Sequence, residues 1–143
     1  MTPERLTLEE TLLKKYFPNR YHFQNLYLPD EFLDFGWRTQ NRNVYRINIR
    51  LKPDYPNSLP EVYIVFPLPL KRKDGSTMAC VSHAMHTLSN DGEMVQICHF
   101  KPEKWGPQQS LFKIILKVRI WLECYERHLA TGDAIDDFLN KIN

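Results

Sequence analysis

The sequence predicts one α+β domain in which helices pack on one face of an antiparallel sheet. Its 143 residues suit a single ordinary domain, so residues 1–143 are expected to fold as one unit. Apolar residues recur at helical spacing near both ends of the chain, whereas the segment between them alternates apolar and polar side chains as strands do. Helix, strand run, long loop and helices, in that order, indicate the α+β class.

The first predicted element is a helix over residues 5–16. Leucines and a tyrosine recur there at roughly helical spacing among charged side chains. Thr7 is the predicted N-cap, with Glu10 three residues later as in a capping box. Pro18 is expected to end the helix.

Four strands are predicted next. Residues 45–51 alternate apolar and polar side chains, and residues 61–66 are rich in β-branched and aromatic side chains. Residues 21–28 are a third strand and residues 33–38 a weaker fourth. Because the connections are short and contain Pro or Asn, we expect a four-stranded antiparallel meander.

A long loop and two helices complete the prediction. Residues 67–107 show little periodicity yet hold two of the three cysteines and three of the five histidines, and an irregular stretch of this length is usually functional. Residues 108–129 carry the clearest amphipathic pattern of the chain, and Gly132 ends that helix. Residues 133–141 are predicted to form a short final helix capped near Asp133.

Composition and missing motifs exclude several classes of function. The chain has 19 basic and 17 acidic side chains, so it lacks the basic excess of a nucleic-acid binder. It contains no apolar run long enough for a membrane span, and three cysteines make no disulfide framework, so a reducing cytoplasm is the expected location. Glycine-rich phosphate loops, His-Glu-x-x-His and Cys-x-x-Cys are missing; no cofactor or metal is therefore expected.

One ordered set of motifs is present, and it carries a family resemblance. A Tyr-Pro turn with a further proline separates the two best strands, a histidine, a glycine and Ile-Cys follow in the long loop, and Trp-Gly-Pro precedes the long helix. In order and spacing the chain resembles the ubiquitin-conjugating enzyme family over nearly its whole length. The resemblance implies the UBC fold, with a long active-site loop and a thioester-forming cysteine. The motif residues are Tyr55, Pro56, Pro60, His86, Gly92, Ile97, Cys98, Trp105, Gly106 and Pro107.

The chain departs from the family pattern in two places. Thr87 and Leu88 stand where the family has Pro-Asn, so the asparagine that would hold the oxyanion is not in place, and Asn90 lies at the wrong offset. Twelve positions, rather than ten, separate His86 from Cys98. Both features are similar to divergent bacterial members found in antiphage operons with cyclic-oligonucleotide signalling (CBASS). There the conjugating-type protein acts on the C-terminus of the nucleotide cyclase.

Cys98 is the predicted catalytic residue. A cysteine is the most nucleophilic side chain near neutral pH, and a loop position keeps it reachable. The alternative is a small core residue that follows a short apolar run. By the resemblance, His86 pins the active-site loop through hydrogen bonds. Loop-supporting roles fall to Tyr55, Pro56, Trp105 and Pro107.

Other titratable residues leave alternatives open. His99 either stabilises a thiolate on its neighbour or points away from it. By position alone, Glu103 and Asp133 are candidates for orienting an attacking amine, and solvated surface carboxylates are the alternative. The run from Cys80 to His86, which includes His83, has the ligand types of a metal-dependent hydrolase but not the paired spacing of a structural zinc site.

The expected function is that of an acyl carrier. Cys98 would take the C-terminus of a ubiquitin-like protein or of a nucleotide cyclase as a thioester and pass it to a lysine amine. Because the chain has no nucleotide-binding motif, adenylation would come from an activating partner. The rival is a non-catalytic UBC-like or RWD-like protein-binding module, which the Tyr-Pro-x-x-x-Pro turn fits equally well. The missing Pro-Asn favours that rival, whereas Cys98 followed by Trp-Gly-Pro favours the enzyme.

Overall fold

The computed structural model describes residues 1–142 and confirms the α+β class. An N-terminal helix precedes an antiparallel sheet with strand order β1-β2-β3-β4-β5, and two helices follow. None of the helices within residues 1–142 is both long enough and apolar enough to cross a membrane. The elements are α1 Pro3–Tyr16, β1 Tyr21–Gln24, β2 Phe32–Arg38, β3 Val44–Arg50, β4 Glu61–Phe66, β5 Val95–Ile97, a 3₁₀ helix Pro102–Lys104, α2 Leu111–Thr131 and α3 Ile135–Ile142.

The first helix begins earlier than predicted. Its N-cap is Thr2, whose side chain accepts a hydrogen bond of 3.1 Å from the backbone amide of Arg5. The prediction that Thr7 caps the helix is wrong, because its hydroxyl donates to the carbonyl of Pro3 inside the first turns. A proline is favourable at the first helical position, where its fixed φ fits and its missing amide is not needed. The helix ends before Pro18, as predicted.

The sheet has five strands, so the prediction of a four-stranded meander is wrong by one. All four predicted strands are present, although β1 stops at Gln24 because Asn25 and Tyr27 adopt left-handed backbone with φ of 52° and 66°. The fifth strand, β5, pairs with β4 through Val62 and Ile97. Three residues are too few to show an alternating pattern, which is why the sequence did not reveal this strand. Its pairing brings the segment that contains Cys98 to the edge of β4.

The core lies between one face of the sheet and the helices. Along β3, buried residues alternate with more exposed ones, as expected for a strand covered on one side. In α2 the buried side chains include Cys124. Gly132 follows α2 in left-handed backbone, with φ of 85°, and ends the helix as predicted. Asp133 lies two residues before the first residue of α3.

A buried carboxylate fixes α1 against the rest of the domain. The side chain of Glu9 is 2% exposed, and one of its oxygens accepts hydrogen bonds from the Tyr55 hydroxyl at 2.8 Å and from Arg5 Nε at 2.9 Å. Its other oxygen accepts the backbone amide of Leu111 at 2.9 Å. Buried charge is tolerated only where it is paired in this way. Glu9 therefore joins α1 to the Tyr-Pro turn and to the first residue of α2.

Candidate active site around Cys98

Cys98 follows β5 directly and is held there by backbone hydrogen bonds. Its amide donates to the carbonyl of His86 at 2.8 Å, and Thr87 pairs with Ile97 on the edge of β5 that β4 leaves free. Leu88 continues this pairing, since its amide donates to the carbonyl of Gln96 at 2.8 Å. The segment 86–88 therefore lies beside β5 and fixes the backbone from which the thiol projects.

The thiol of Cys98 is half-buried and has no ionic partner. Burial raises its pKa above the ordinary value, and within residues 1–142 no side chain donates a hydrogen bond to its sulfur. The thiol is therefore protonated at neutral pH, and this part of the chain provides no cysteine–histidine ion pair of the kind that activates cysteine hydrolases.

His86 is anchored to the last helix. Its backbone is left-handed, with φ of 51°, and its ring nitrogen Nε2 lies 2.6 Å from Oδ1 of Asp136. The amide of Asp136 also donates to the carbonyl of Ala84 at 2.8 Å, so α3 is attached to the loop twice. The hydrogen bond from His86 lowers the pKa of the Asp136 carboxyl. Asp136 was not among the predicted site residues, and its only signal in the sequence is its place as an acidic residue in the first turn of the predicted final helix.

The four predicted loop-supporting residues lie close together. The indole nitrogen of Trp105 donates to the carbonyl of Pro56 at 2.9 Å, and the rings of Tyr55 and Trp105 have centroids 6.2 Å apart. The carbonyl of Pro107 accepts a hydrogen bond of 2.8 Å from Arg5. These contacts join the segment after Cys98 to the Tyr-Pro turn and to α1, which is the arrangement that a loop-supporting role requires.

A cleft of about 640 Å³ includes Cys98 in its wall. We call it the Cys98 cleft; it lies among the segments 81–88 and 98–101, the middle of α2 and the end of α3. Most of the surface that lines it is apolar, and its polar lining residues include three histidines and two lysines. Volumes of this size are typical of sites for small molecules or peptide side chains. Its apolar lining residues are Val81, Leu88, Phe100, Ile120, Trp121 and Leu139.

His99 is a neutral histidine in the wall of this cleft. Burial lowers the pKa of its imidazole to about 4. Nδ1 lies 3.5 Å from the carbonyl of Ile97, and Nε2 is buried with no hydrogen-bond partner among residues 1–142. A ring that stays neutral at pH 7 does not supply the positive charge that a thiolate-stabilising role needs. Of the two alternatives for His99, the structure disfavours that one.

Glu103 and Asp133 are not brought to the cleft. Both are exposed, and neither is among the residues that line it. Glu103 lies in the 3₁₀ helix, whereas Asp133 uses its backbone carbonyl to accept a hydrogen bond from His128 at 2.8 Å. The carboxylate that is attached to a cleft residue is instead that of Asp136, through His86.

The structure does not place the run from Cys80 to His86 as a set of metal ligands within residues 1–142. Within residues 1–142, no three His, Cys, Asp or Glu side chains are placed to hold a metal ion together. The sulfur of Cys80 instead accepts a hydrogen bond of 3.1 Å from Arg72, and His83 lies against Asp136 with a nitrogen–oxygen distance of 3.9 Å.

A scan against protein-family models found no match, and searches of curated proteins and of solved structures found none either. The chemistry of Cys98 and its surroundings is therefore what supports a function.

Proposed function

We propose that this protein is an acyl carrier of the ubiquitin-conjugating type, in which Cys98 holds the C-terminal acyl group of a protein as a thioester and passes it to a lysine amine. One observation carries the proposal. A thiol that has no ionic partner among residues 1–142 lies in the wall of a largely apolar cleft, on a backbone fixed by β5 and by the segment 86–88.

The electrostatics of the thiol favour a carrier over a hydrolase. A thiol of raised pKa gives a thiolate that is intrinsically more nucleophilic and is a poorer leaving group than one of lowered pKa. A thioester on Cys98 would therefore react slowly with water, and a neutral amine, which is a stronger nucleophile than water, would attack it preferentially. A hydrolase would also need a base for the attacking water. Among residues 1–142 no histidine side chain is hydrogen-bonded to the Cys98 thiol: Nε2 of His86 bonds to Asp136, and Nδ1 of His99 lies 3.5 Å from the carbonyl of Ile97.

The proposed transfer takes place in two steps, acylation of Cys98 and attack of the amine on the thioester. The donor's carboxyl group arrives activated by a partner, as an adenylate or a thioester. Cys98 gives up its proton to solvent, its sulfur bonds to the carbonyl carbon, and the bond to the partner's leaving group breaks. A neutral lysine amine then attacks the same carbon, the carbon–sulfur bond breaks, Cys98 leaves as a thiolate, and the amine loses a proton to solvent.

The donor is proposed to be a ubiquitin-like protein or the C-terminal tail of a nucleotide cyclase. The second choice rests on the resemblance to conjugating-type proteins of bacterial CBASS operons and would place the reaction in cytoplasmic antiphage defence. The chain shows no motif for adenylation, so a separate activating enzyme is expected to supply the activated donor.

The test is a reductant-sensitive adduct. The protein is incubated with the products of its neighbouring genes, and gels are run with and without a thiol reductant. We expect an adduct that reductant removes, that is missing in Cys98→Ala and that becomes reductant-stable in Cys98→Ser. Cys80→Ser is the matched control, because Cys80 is also partly exposed and lies on the same long loop. If Cys98→Ala keeps full activity in the cell, the carrier is refuted and a non-catalytic binding module is the better description.

A further inference from the structure

The Cys98 cleft exposes large aliphatic side chains from two separate segments, the loop segment 81–88 and α2. Val81 is 72% exposed, Leu88 40% and Ile120 38%, and all three line the cleft. Phe100 and Trp121 form buried parts of the same wall. An apolar surface gathered from distant parts of the chain at one place commonly marks a site for another molecule. The cleft is therefore suited to bind an apolar side chain of another molecule.

The unbalanced charge of the cleft is positive. Lys101 and Lys117 both line it, and neither forms an ion pair with a carboxylate among residues 1–142. The ammonium group of Lys117 lies 4.9 Å from the centroid of the Phe100 ring, at the boundary between the charged and the apolar wall. The nearby carboxylate of Asp136 is already bound by His86. A ligand that complements this wall would carry an acidic group beside its apolar one.

His99 adds a polar group that has no partner. Its Nε2 is buried in the protein among residues that line the cleft, and no donor in residues 1–142 satisfies it. A buried acceptor without a donor is uncommon in folded proteins, and a ligand is one means of supplying the missing hydrogen bond. The ring of His99 must turn toward the cleft to accept from a bound peptide, whose N–H group is a donor of the required kind.

We propose, building on the carrier function above, that the Cys98 cleft selects the acyl donor. It takes an extended protein C-terminus whose last few residues include bulky apolar residues and an acidic residue. The donor tail is the occupant because its last carbonyl is bonded to Cys98, and each extended residue reaches at most about 3.6 Å. Its last few residues therefore lie in or beside the cleft, whereas an acceptor need only present one amine.

The experiment uses three acetylated peptide thiophenyl thioesters. They end in Glu-Leu-Leu-Gly, Lys-Leu-Leu-Gly and Gly-Gly-Gly-Gly, so that the reacting glycyl carbonyl is the same in each. Intact-mass spectrometry measures the rate at which each peptide acylates Cys98. We expect the Glu-Leu-Leu-Gly peptide to react about tenfold or more faster than the all-glycine peptide, because it buries apolar side chains. The Lys-Leu-Leu-Gly peptide is expected to fall between the two.

Two variants and a control attribute this preference to the cleft. Ile120→Asp should remove most of the preference for leucine, measured as the ratio of the Glu-Leu-Leu-Gly rate to the all-glycine rate in the same variant. Lys117→Glu should reverse the order of the glutamate and lysine peptides. Leu8→Asp is the matched control, because Leu8 is 64% exposed on α1 and does not line the cleft. Equal rates for all three peptides, or a leucine preference that Ile120→Asp leaves intact, would overturn the inference.

A binding measurement separates this inference from the carrier function. Calorimetry with Cys98→Ser and the same sequences as peptide amides measures the cleft without any acyl transfer. If the peptides bind with the expected preference but none acylates wild-type Cys98, the carrier function fails, and what stands is the preference of the cleft for such a C-terminus. If every thioester acylates Cys98 at the same rate and no amide is preferred, the carrier stands and the inference fails. Displacement of the bound peptide by a lysine-containing acceptor peptide would assign the cleft to the acceptor and refute the inference.

Discussion

Acidification should destabilise this protein through His99, the residue next to the proposed nucleophile. Burial lowers the pKa of its imidazole from 6.5 to about 4, so between these values the unfolded chain binds a proton that the folded chain does not. The neutral ring of His99 makes its full contribution to the free energy of unfolding above pH 6.5, and this contribution is lost as the pH falls toward 4. At about 1.4 kcal/mol for each pH unit of difference, the loss amounts to about 3 kcal/mol.

The assay is urea unfolding followed by tryptophan fluorescence at pH 7.5 and at pH 4. His99→Gln keeps a polar side chain but cannot take up the proton. Between the two pH values, the wild type should lose about 3 kcal/mol more unfolding free energy than this variant. His22→Gln removes an exposed histidine on β1 and serves as the control. Wild-type and His99→Gln profiles that run parallel to within about 0.5 kcal/mol would refute the reasoning.

Three further substitutions test the contacts around the site. Glu9→Ala leaves a buried hydroxyl and a buried amide without their acceptor, so chemical denaturation should show a loss of about 3–5 kcal/mol; a loss below about 1 kcal/mol would contradict the role of Glu9. Trp105→Phe removes the hydrogen bond to the Pro56 carbonyl and should cost about 1 kcal/mol in the same assay. Asp136→Asn weakens the attachment of His86, so alkylation of the cleft thiol should become faster; an unchanged rate would contradict that attachment.

The elements with strong local periodicity could be predicted from the sequence. β3 alternates over its whole length, and α2 carries its apolar pattern over many turns. In both elements the spacing of apolar residues along the chain shows which face is buried. β5 could not be predicted in this way. It is three residues long, and its existence depends on pairing with β4 across the whole of the intervening loop.

The candidate site was predictable to a similar extent. Motif order predicted loop-supporting roles for Trp105 and Pro56, and these two residues are in contact through the hydrogen bond from the Trp105 indole. The carboxylates were not predictable. Glu9 is buried because of donors 46 and 102 positions away, and Asp136 is important because α3 folds back on the loop. Nothing near these acids in the sequence distinguishes them from solvated surface residues.

The segment 86–88 has a further consequence for how another chain can approach β5. A free strand edge invites a foreign peptide to add as a new strand, which is a common route to peptide recognition and to aggregation. Here the edge that β4 leaves free already pairs with Thr87 and Leu88, so the backbone groups there are partly used. At the opposite end of the sheet, β1 is only four residues long. A peptide that arrives at Cys98 therefore finds little backbone left to pair with, and side chains must provide the discrimination between one tail and another.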